Sequence, residues 1–363
     1  MSEKEIFLSL VRLGIGHHGL VNDSWFTVHD PISADKWNKI ETLAAEQGLS
    51  AVVVDGVDRL PLEQRPPKPV LLQWIGETLQ GYEYRYELYC RTIAEMAAFY
   101  NEHGFKMMVL KGYACALDWP KPEHRPTGDI DIWQYGQQKE ADEALAKEKG
   151  VEIDRSHHHH TVFYWRDFMV ENHYDFVNVY AHKSSRELEK IFKELGQDDS
   201  HFVEVYGEKV YLPSPNLHAL FLIRHIVSHF AAANITLRQV LDWAFFVEKH
   251  TKEIDWEWLV ELLEKYHMKD FYNCINAICV EDLGFAVEIF KTVQFEPVLK
   301  EKVLRDILYP PFTADAPRGL IKRIIYKYRR WQGNAWKQRL CYSESRWDAL
   351  GRGIVNHLLK PSV

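Results

Sequence analysis

The stretch RPTGDIDIW, Arg125 to Trp133, places two aspartates one residue apart inside an apolar run. Because successive side chains of a strand point to opposite faces, Asp129 and Asp131 would share one face. Ile130 and Ile132 would share the other. Aspartate is a poor strand former, and a buried carboxylate is costly unless it is paired or bound to a metal. The pattern therefore predicts a strand that is anchored by isoleucines and whose carboxylates hold Mg²⁺ or Mn²⁺.

The same pair of carboxylates leads to an expectation about stability. Without a cation, two like charges on one strand face repel each other. We therefore expect that alanine at Asp129 or Asp131 removes activity but leaves the fold, in EDTA, as stable as before or more stable. Arg125 complicates this expectation, because its guanidinium is placed either to meet a phosphate or to pair with an aspartate.

The composition of the 363-residue chain is that of a globular protein with room for two or three domains. Its net charge of -8 argues against a protein that coats nucleic acid over its whole surface. Five scattered cysteines without a C-x-x-C pair favour a reduced, cytoplasmic setting. The early acidic residues and the lack of a long apolar region predict neither a signal peptide nor a transmembrane segment.

Helical and strand patterns divide the chain into three parts. We predict an N-terminal helical segment (1–80), an α/β domain (81–214) and a C-terminal helical domain (215–363), with a boundary near the proline-rich PLEQRPPKPV. Ser33 is a predicted N-cap of a helix that Gly48 ends, and a second strong helix spans 82–103. The strands predicted for the middle part are FKMMVLKG, DIDIW, HHTVFYW, FMVENHYDFVNV and EKVYLP.

Several of these segments, taken in order, carry a resemblance to a known family. VLKGYACAL, RPTGDIDIW, HHHHTVFYW and MVENHYDF resemble the nucleotidyltransferase fold, and more narrowly the uncharacterised nucleotidyltransferases of bacteria. KWNKIETLAAEQGLSAVVV and HALFLIRHIVSHFAAANITLRQVLDWAFFVE look like the same family, so the resemblance spans roughly residues 35–290. It implies an α+β fold: a nucleotidyltransferase-type mixed β-sheet with flanking helices, an N-terminal helical segment and a C-terminal helical domain.

The resemblance also implies a site. In this fold a glycine turn after the first strand holds nucleotide phosphates, and a D-x-D pair with a third carboxylate holds two metals. Carried onto this sequence, the implied catalytic and metal-binding residues are Asp129, Asp131 and Glu171, with Asp175 in reserve for the third carboxylate. The implied nucleotide-binding residues are Lys111, Gly112 and Arg125.

The turn Lys111-Gly112-Tyr113 departs from the Gly-Ser or Gly-Gly that the superfamily prefers, and a proline-rich insert follows it. Lys111 would compensate by placing a charge on the triphosphate. The alternative is a lysine that is simply exposed at a turn. The departure leaves open whether the chain is an enzyme.

The function that this site implies is metal-dependent transfer of an NMP from an NTP to an unknown acceptor, which could be a small molecule, a protein or an RNA. One alternative is a non-catalytic nucleotide- or partner-binding protein that keeps the fold. Another is a toxin–antitoxin component that modifies tRNA or protein.

Three further features stay open at this stage. The tract His157–His160 could line the nucleotide site, bind a separate transition metal or simply pack; on a strand its members would alternate between faces. His225 and His229 have a spacing that can bind zinc, but without a third ligand, core hydrogen bonds are favoured. Arg238 and Asp242, at i and i+4 of a helix, predict an ion pair.

The last feature is a basic segment near the C-terminal end. Residues 318–339 carry eight Lys or Arg and no acidic residue, with apolar residues at helical spacing. This pattern predicts an amphipathic helix that binds an anionic partner: a phosphate-rich acceptor, RNA or a membrane surface. The alternative is a helix packed on an acidic part of the protein itself.

Overall fold

Helices make up most of the chain. A computed structural model describes residues 2–16, 32–180, 182–291, 294–312, 317–348 and 351. The α-helices in these ranges are α1 Glu3–Ile15, α2 Ala34–Glu46, α3 Ser50–Asp58, α4 Lys68–Glu77, α5 Tyr84–Glu102, α6 Lys111–Ala116, α7 Gln138–Lys149, α8 Lys183–Leu195, α9 Pro215–Ala232, α10 Leu237–His250, α11 Trp256–Lys265, α12 Lys269–Ala277, α13 Pro297–Leu308, α14 Leu320–Gly333 and α15 Ala335–Cys341. A π-helical segment, Thr78–Glu83, joins α4 to α5.

One mixed sheet lies among these helices. Its strands are β1 Met108–Val109, β2 Ile130–Trp133, β3 His160–Trp165, β4 Phe168–His173, β5 Phe202–Val205 and β6 Glu208–Tyr211. Their order across the sheet is β3-β4-β2-β1-β6-β5. β2 runs parallel to β4 and antiparallel to β1, and β1 runs parallel to β6. The predicted α+β fold with a mixed sheet is confirmed.

The pairing of β2 with β4 positions the polar side chains of both strands. Asp131 lies opposite Glu171 in this parallel register, and Trp133 lies opposite His173. Ile130 and Ile132 are fully buried in a core that the sheet forms with α5 and α7. The predicted isoleucine anchor is therefore present, and Asp131, Glu171 and His173 line cavities on the other face.

Helices α9 and α10 cover that second face. Both contribute to a second and larger core, in which the side chains of α9 are buried almost all round. A helix that is apolar on all sides is typical of a protein interior. Polar side chains on α9 and α10 that face the sheet are consequently enclosed rather than solvated.

The N-terminal helices pack into the same large core. The Gln47 side chain accepts a hydrogen bond from Leu237 N (2.8 Å) and donates one to the Ile307 carbonyl (3.0 Å). Helices α1 and α3 approach each other closely, because a Cβ at Gly56 would lie 2.1 Å from the Leu10 carbonyl oxygen. The front segment is thus bound to the C-terminal helices, while the division into three domains stays a prediction.

Some elements differ from those predicted. Ser33 caps α2 as expected, accepting from Lys36 N at 3.3 Å. The helix predicted for 82–103 instead continues from Lys68 through the π-helical segment, and the sequence patterns missed both α8 and β5. The basic segment forms two helices, α14 and α15. Within the described residues, no helix is long and apolar enough to cross a membrane.

Candidate active site

Three ligand atoms meet on the sheet face that α9 and α10 cover. One atom each of Asp131, Glu171 and His173 lies within 4.8 Å of the other two. The Asp131 side chain is only 1% exposed, and its Oδ1 lies 3.1 Å from His173 Nε2. Glu171 Oε2 lies 3.7 Å from the same nitrogen. The parallel register of β2 and β4 creates this group, because it places two short acidic side chains directly opposite each other.

A lysine contacts the same group. Lys111 is the first residue of α6, and its ammonium lies 2.7 Å from Asp131 Oδ1. Its side chain is 16% exposed, so the alternative of a lysine simply exposed at a turn is wrong. The structure thus places Lys111 among the carboxylates that were predicted to bind metal.

Gly112 has a conformation that few other residues could adopt. Its φ is +38°, which is costly for any residue with a Cβ. A Cβ here would also lie 2.4 Å from the hydroxyl of Tyr89, which donates a hydrogen bond to the Asp129 carbonyl at 3.0 Å. The glycine turn therefore lets α6 approach the start of β2, where the two aspartates stand.

In this cluster the attraction between opposite charges outweighs the cost of burying them. Burial opposes ionisation of Asp131, but Lys111 and His173 hold its pKa well below the ordinary value. Burial also disfavours the imidazolium, yet hydrogen bonds to Asp131 and Glu171 raise the pKa of His173 to about 9. Burial works against the Lys111 charge too, and the carboxylates, chiefly Asp131, outweigh it and raise the pKa of Lys111. Lys111 and His173 thus neutralise Asp131 and Glu171.

Asp129 differs from Asp131 in its surroundings. It precedes β2, lines the same cavity, and stands outside the group of three ligand atoms. Burial, followed by repulsion from Asp131, raises the pKa of Asp129. The two aspartates line one cavity, but Asp129, unlike Asp131, forms no ion pair with a described residue. The expectation that removing Asp131 relieves strain does not fit its ion pairs.

The cavity, of about 330 Å³, extends from this cluster to α9 and α10. Arg125 lines it, but the guanidinium is held by Asp242 through two hydrogen bonds of 2.7 and 2.9 Å. Asp242 therefore pairs with Arg125, and the ion pair predicted between Arg238 and Asp242 is not formed. Among the residues that the structure describes, Arg238 has no hydrogen-bond or ion-pair partner, and it lines the cavity.

Histidines surround the cluster on two sides. Ring nitrogens of His159, His160 and His173 lie within 4.8 Å of one another. His159 precedes β3, so the face alternation predicted for the tract does not separate it from His160. Burial lowers the pKa of His160 to about 4, which keeps that imidazole neutral. These two histidines therefore join the site.

His225 and His229 face the cluster from α9. Their ring centroids are 4.3 Å apart and both residues line the cavity. Neither imidazole hydrogen-bonds to another described residue, so the core hydrogen bonds predicted for them are not observed. Burial lowers the pKa of His225 well below its ordinary value and the pKa of His229 to about 4. Both rings are therefore neutral and available to a ligand.

The two candidates for the third carboxylate have different surroundings. Asp175 lies beyond β4 and forms an ion pair with Lys193. Glu171 faces Asp131. The sequence patterns did not assign two residues to the site: His173, which belongs to the group of three ligand atoms, and Arg238, which lines the cavity. His173 follows Glu171 at i+2, a spacing that puts both side chains on one strand face, and this signal could have identified it.

Comparisons with known proteins gave a family match and a match to a solved structure. A family model described as uncharacterised nucleotidyltransferase matches residues 33–284, more than half of the chain. A solved structure, an antigenic nucleotidyltransferase-like protein from Paracoccidioides brasiliensis, is 15% identical with a TM-score of 0.34. That match covers 48% of this chain and 85% of the other. The comparison with curated proteins gave no match.

Proposed function

The chain belongs to the uncharacterised nucleotidyltransferase family, and we propose that it transfers an NMP from an NTP to an acceptor with the help of a divalent cation. The observation that supports this proposal is one cavity lined by Asp129, Asp131, Glu171, Lys111 and Arg238. Nucleotidyl transfer needs carboxylates for a cation and basic groups for the phosphates, and this cavity offers both.

The proposed reaction uses these groups mainly for positioning. An acceptor oxygen forms a bond to the α-phosphorus of the NTP, and the bond from that phosphorus to the bridging oxygen breaks. Pyrophosphate leaves with the electron pair, while a carboxylate of the cavity takes the proton of the acceptor. We assign the triphosphate to Lys111 and Arg238, since Arg125 is engaged by Asp242. Gly112 has no Cβ, so the backbone can turn close to Tyr89 at this point.

The residues around Asp131 fit a divalent cation. Asp131, Glu171 and His173 would hold it, with Asp129 as a further oxygen ligand. A bound cation supplies positive charge for the phosphates and activates the acceptor oxygen. Two carboxylates with one imidazole favour Mn²⁺ over Mg²⁺, because Mg²⁺ prefers oxygen donors throughout. His173 is protonated while the carboxylates beside it are free, so it would lose this proton on binding the cation. Lys111 would give up Asp131 and be available to the phosphates.

The first test is the stability of the protein with its proposed ligands. We expect Mn²⁺ or Mg²⁺ with an NTP to raise the melting temperature by a few degrees, because a ligand bound only to the native state adds stability by mass action. Differential scanning fluorimetry with each of the four NTPs, with and without EDTA, measures this shift. Arg238→Gln should reduce the NTP-dependent part while leaving the protein folded.

A non-catalytic binding protein is the second candidate, and the Lys111–Asp131 ion pair favours it. An ammonium already stands where a cation would bind, so an NTP could bind without metal. Labelled NTP incubated with Mn²⁺ and cell extract separates the two candidates by its transfer to an acceptor. If an NTP raises the melting temperature equally with and without EDTA, and no NMP is transferred, the result supports a protein that only binds the nucleotide. A melting temperature unaffected by either metal and all four NTPs contradicts both.

We also propose an anionic partner for α14. Its apolar side chains Leu320, Ile321 and Ile324 are 74, 73 and 58% exposed, and no residue of this helix is buried. A basic helix with an exposed apolar stripe suits an anionic membrane surface, into which the stripe can insert. The neighbouring α15 is instead packed, with Lys337 buried against Asp306.

Vesicle sedimentation tests this surface. The protein should bind vesicles that contain an anionic lipid and should not bind neutral vesicles. The double variant Lys322→Gln/Arg323→Gln should bind the anionic vesicles more weakly. Equal binding of the double variant would overturn the proposal. Binding to single-stranded RNA but not to vesicles would assign the surface to nucleic acid.

We propose a reduced, cytoplasmic setting. All five cysteines are buried and unpaired, which supports a chain that does not depend on disulfides.

A further inference from the structure

A second cavity, of about 400 Å³, opens beside the candidate active site. Four residues line both cavities: Lys111, Glu171, His225 and His229. A molecule held in the second cavity would therefore lie against the same lysine and glutamate as the proposed nucleotide site. The size of this cavity suits a small molecule rather than a folded partner.

An unpaired guanidinium lines this second cavity. Arg224, on α9, is 3% exposed, and its Nη2 donates a hydrogen bond to Ser185 Oγ at 2.9 Å. Its Nε is buried without a hydrogen-bond partner, and the guanidinium carbon lies 5.0 Å from the Tyr342 ring centroid. In the described ranges, no carboxylate lies within 4.0 Å of this charge.

The contrast with Arg125 gives this observation its meaning. Both arginines are buried, but Asp242 neutralises Arg125 through a two-point contact. Burying a charge without a partner is costly, so natural proteins pair it or use it for a ligand. A guanidinium offers planar, parallel donors that match a carboxylate or a phosphate. Arg224 therefore lacks an anionic partner, and its cavity has room for one.

We propose that the second cavity is the acceptor site and takes a small molecule bearing a carboxylate or phosphate, which Arg224 binds. The inference rests on the proposed nucleotidyl transfer and names the acceptor class for it. Phe176, Phe221 and Tyr342 supply apolar walls, so the acceptor has an apolar body. Its hydroxyl would lie at the end lined by Lys111 and Glu171, with its anion at Arg224.

Binding of simple probes to the full chain tests this site without knowledge of the acceptor. The probes are 3-phenylpropionate and phenyl phosphate, with 3-phenylpropanamide as the neutral analogue, and calorimetry gives each Kd. We expect at least one anionic probe to bind and the neutral one to bind at least about tenfold more weakly. Arg224→Gln should lose that preference. Arg238→Gln, on the nucleotide side, should keep it.

Two further measurements make the outcome decisive. Without ligand, the melting temperature of Arg224→Gln should equal or exceed that of the wild type, since the variant removes a buried charge that has no carboxylate partner among the described residues. If the glutamine variant does not fold, Arg224→Met, which keeps an apolar stem, replaces it. With NTP and Mn²⁺, Arg224→Gln should be stabilised as the wild type is. Failure of the NTP shift in the wild type counts against nucleotidyl transfer, whereas probe binding reports on the second cavity alone.

Three results would overturn the inference. The first is the absence of binding by both anionic probes to the wild type. The second is equal binding of the probes to Arg224→Gln. The third is loss of NTP stabilisation in Arg224→Gln but not in Arg238→Gln, which would assign Arg224 to the nucleotide.

Discussion

Asp131→Asn is expected to abolish nucleotidyl transfer and to lower the free energy of unfolding, measured in EDTA, by about 3 kcal/mol. The Asp131 carboxylate is buried between Lys111, at 2.7 Å, and His173, at 3.1 Å. A neutral amide leaves two buried cations without their counter-charge, and removing one partner of a buried pair costs far more than losing a surface contact. Urea denaturation at pH 7 measures the change.

Asp129→Asn is the matched control, and we expect the opposite effect on stability. Burial and the charge of Asp131 raise the pKa of Asp129, so its ionised form destabilises the native state at neutral pH. The variant should therefore be as stable as the wild type or more stable at pH 7. Below about pH 4 this carboxyl is protonated in both the folded and the unfolded state, so it no longer changes the free energy of unfolding. The gain in stability should therefore vanish there.

The two aspartate variants should agree in activity. Both should lose transfer, and neither should gain stability from Mn²⁺ with NTP if both carboxylates serve the cation. Equal destabilisation of both variants by more than about 2 kcal/mol would identify both aspartates as structural. Full activity in either variant would remove that residue from the metal site.

Arg125→Met is expected to lower the free energy of unfolding by about 3–5 kcal/mol, the range for a broken buried pair. The side chains of Arg125 and Asp242 are 5 and 6% exposed, and the indole N–H of Trp119 also donates to Asp242. This pair ties the loop before β2 to α10. Loss of Arg125 should therefore destabilise the fold rather than selectively weaken NTP binding.

A double-mutant cycle with Asp242→Leu checks this assignment. The double variant should be more stable than the sum of the two single effects predicts, because it leaves no unpaired charge. Strictly additive effects, or a loss of NTP binding without loss of stability, would return Arg125 to the nucleotide site that the sequence predicts for it.

The strand and its carboxylates could be predicted because their signal is local. Alternation alone places Asp131 on the face opposite Ile130 and Ile132, and the structure agrees. The same rule placed Glu171 and Asp175 on one face, and the choice of Glu171 followed from the resemblance to a family. Strand β5 was missed because its pattern is weak, with Phe202 exposed. Helix α8 was missed although Leu188, Phe192 and Leu195 follow helical spacing, so its signal was present in the sequence.

The sequence by itself determined that this chain has an α+β fold, a buried strand with two acidic residues at its start and a glycine turn near them. Only the tertiary structure decided which charges are paired. Arg125 and Asp242 are 117 positions apart, and their contact depends on how α10 packs over the sheet. Periodicity reports the direction of a side chain within its own element, whereas an ion pair depends on the distance between elements. For that reason the paired Lys111 and Arg125, and the unpaired Arg224 and Arg238, could not be told apart before the fold was known.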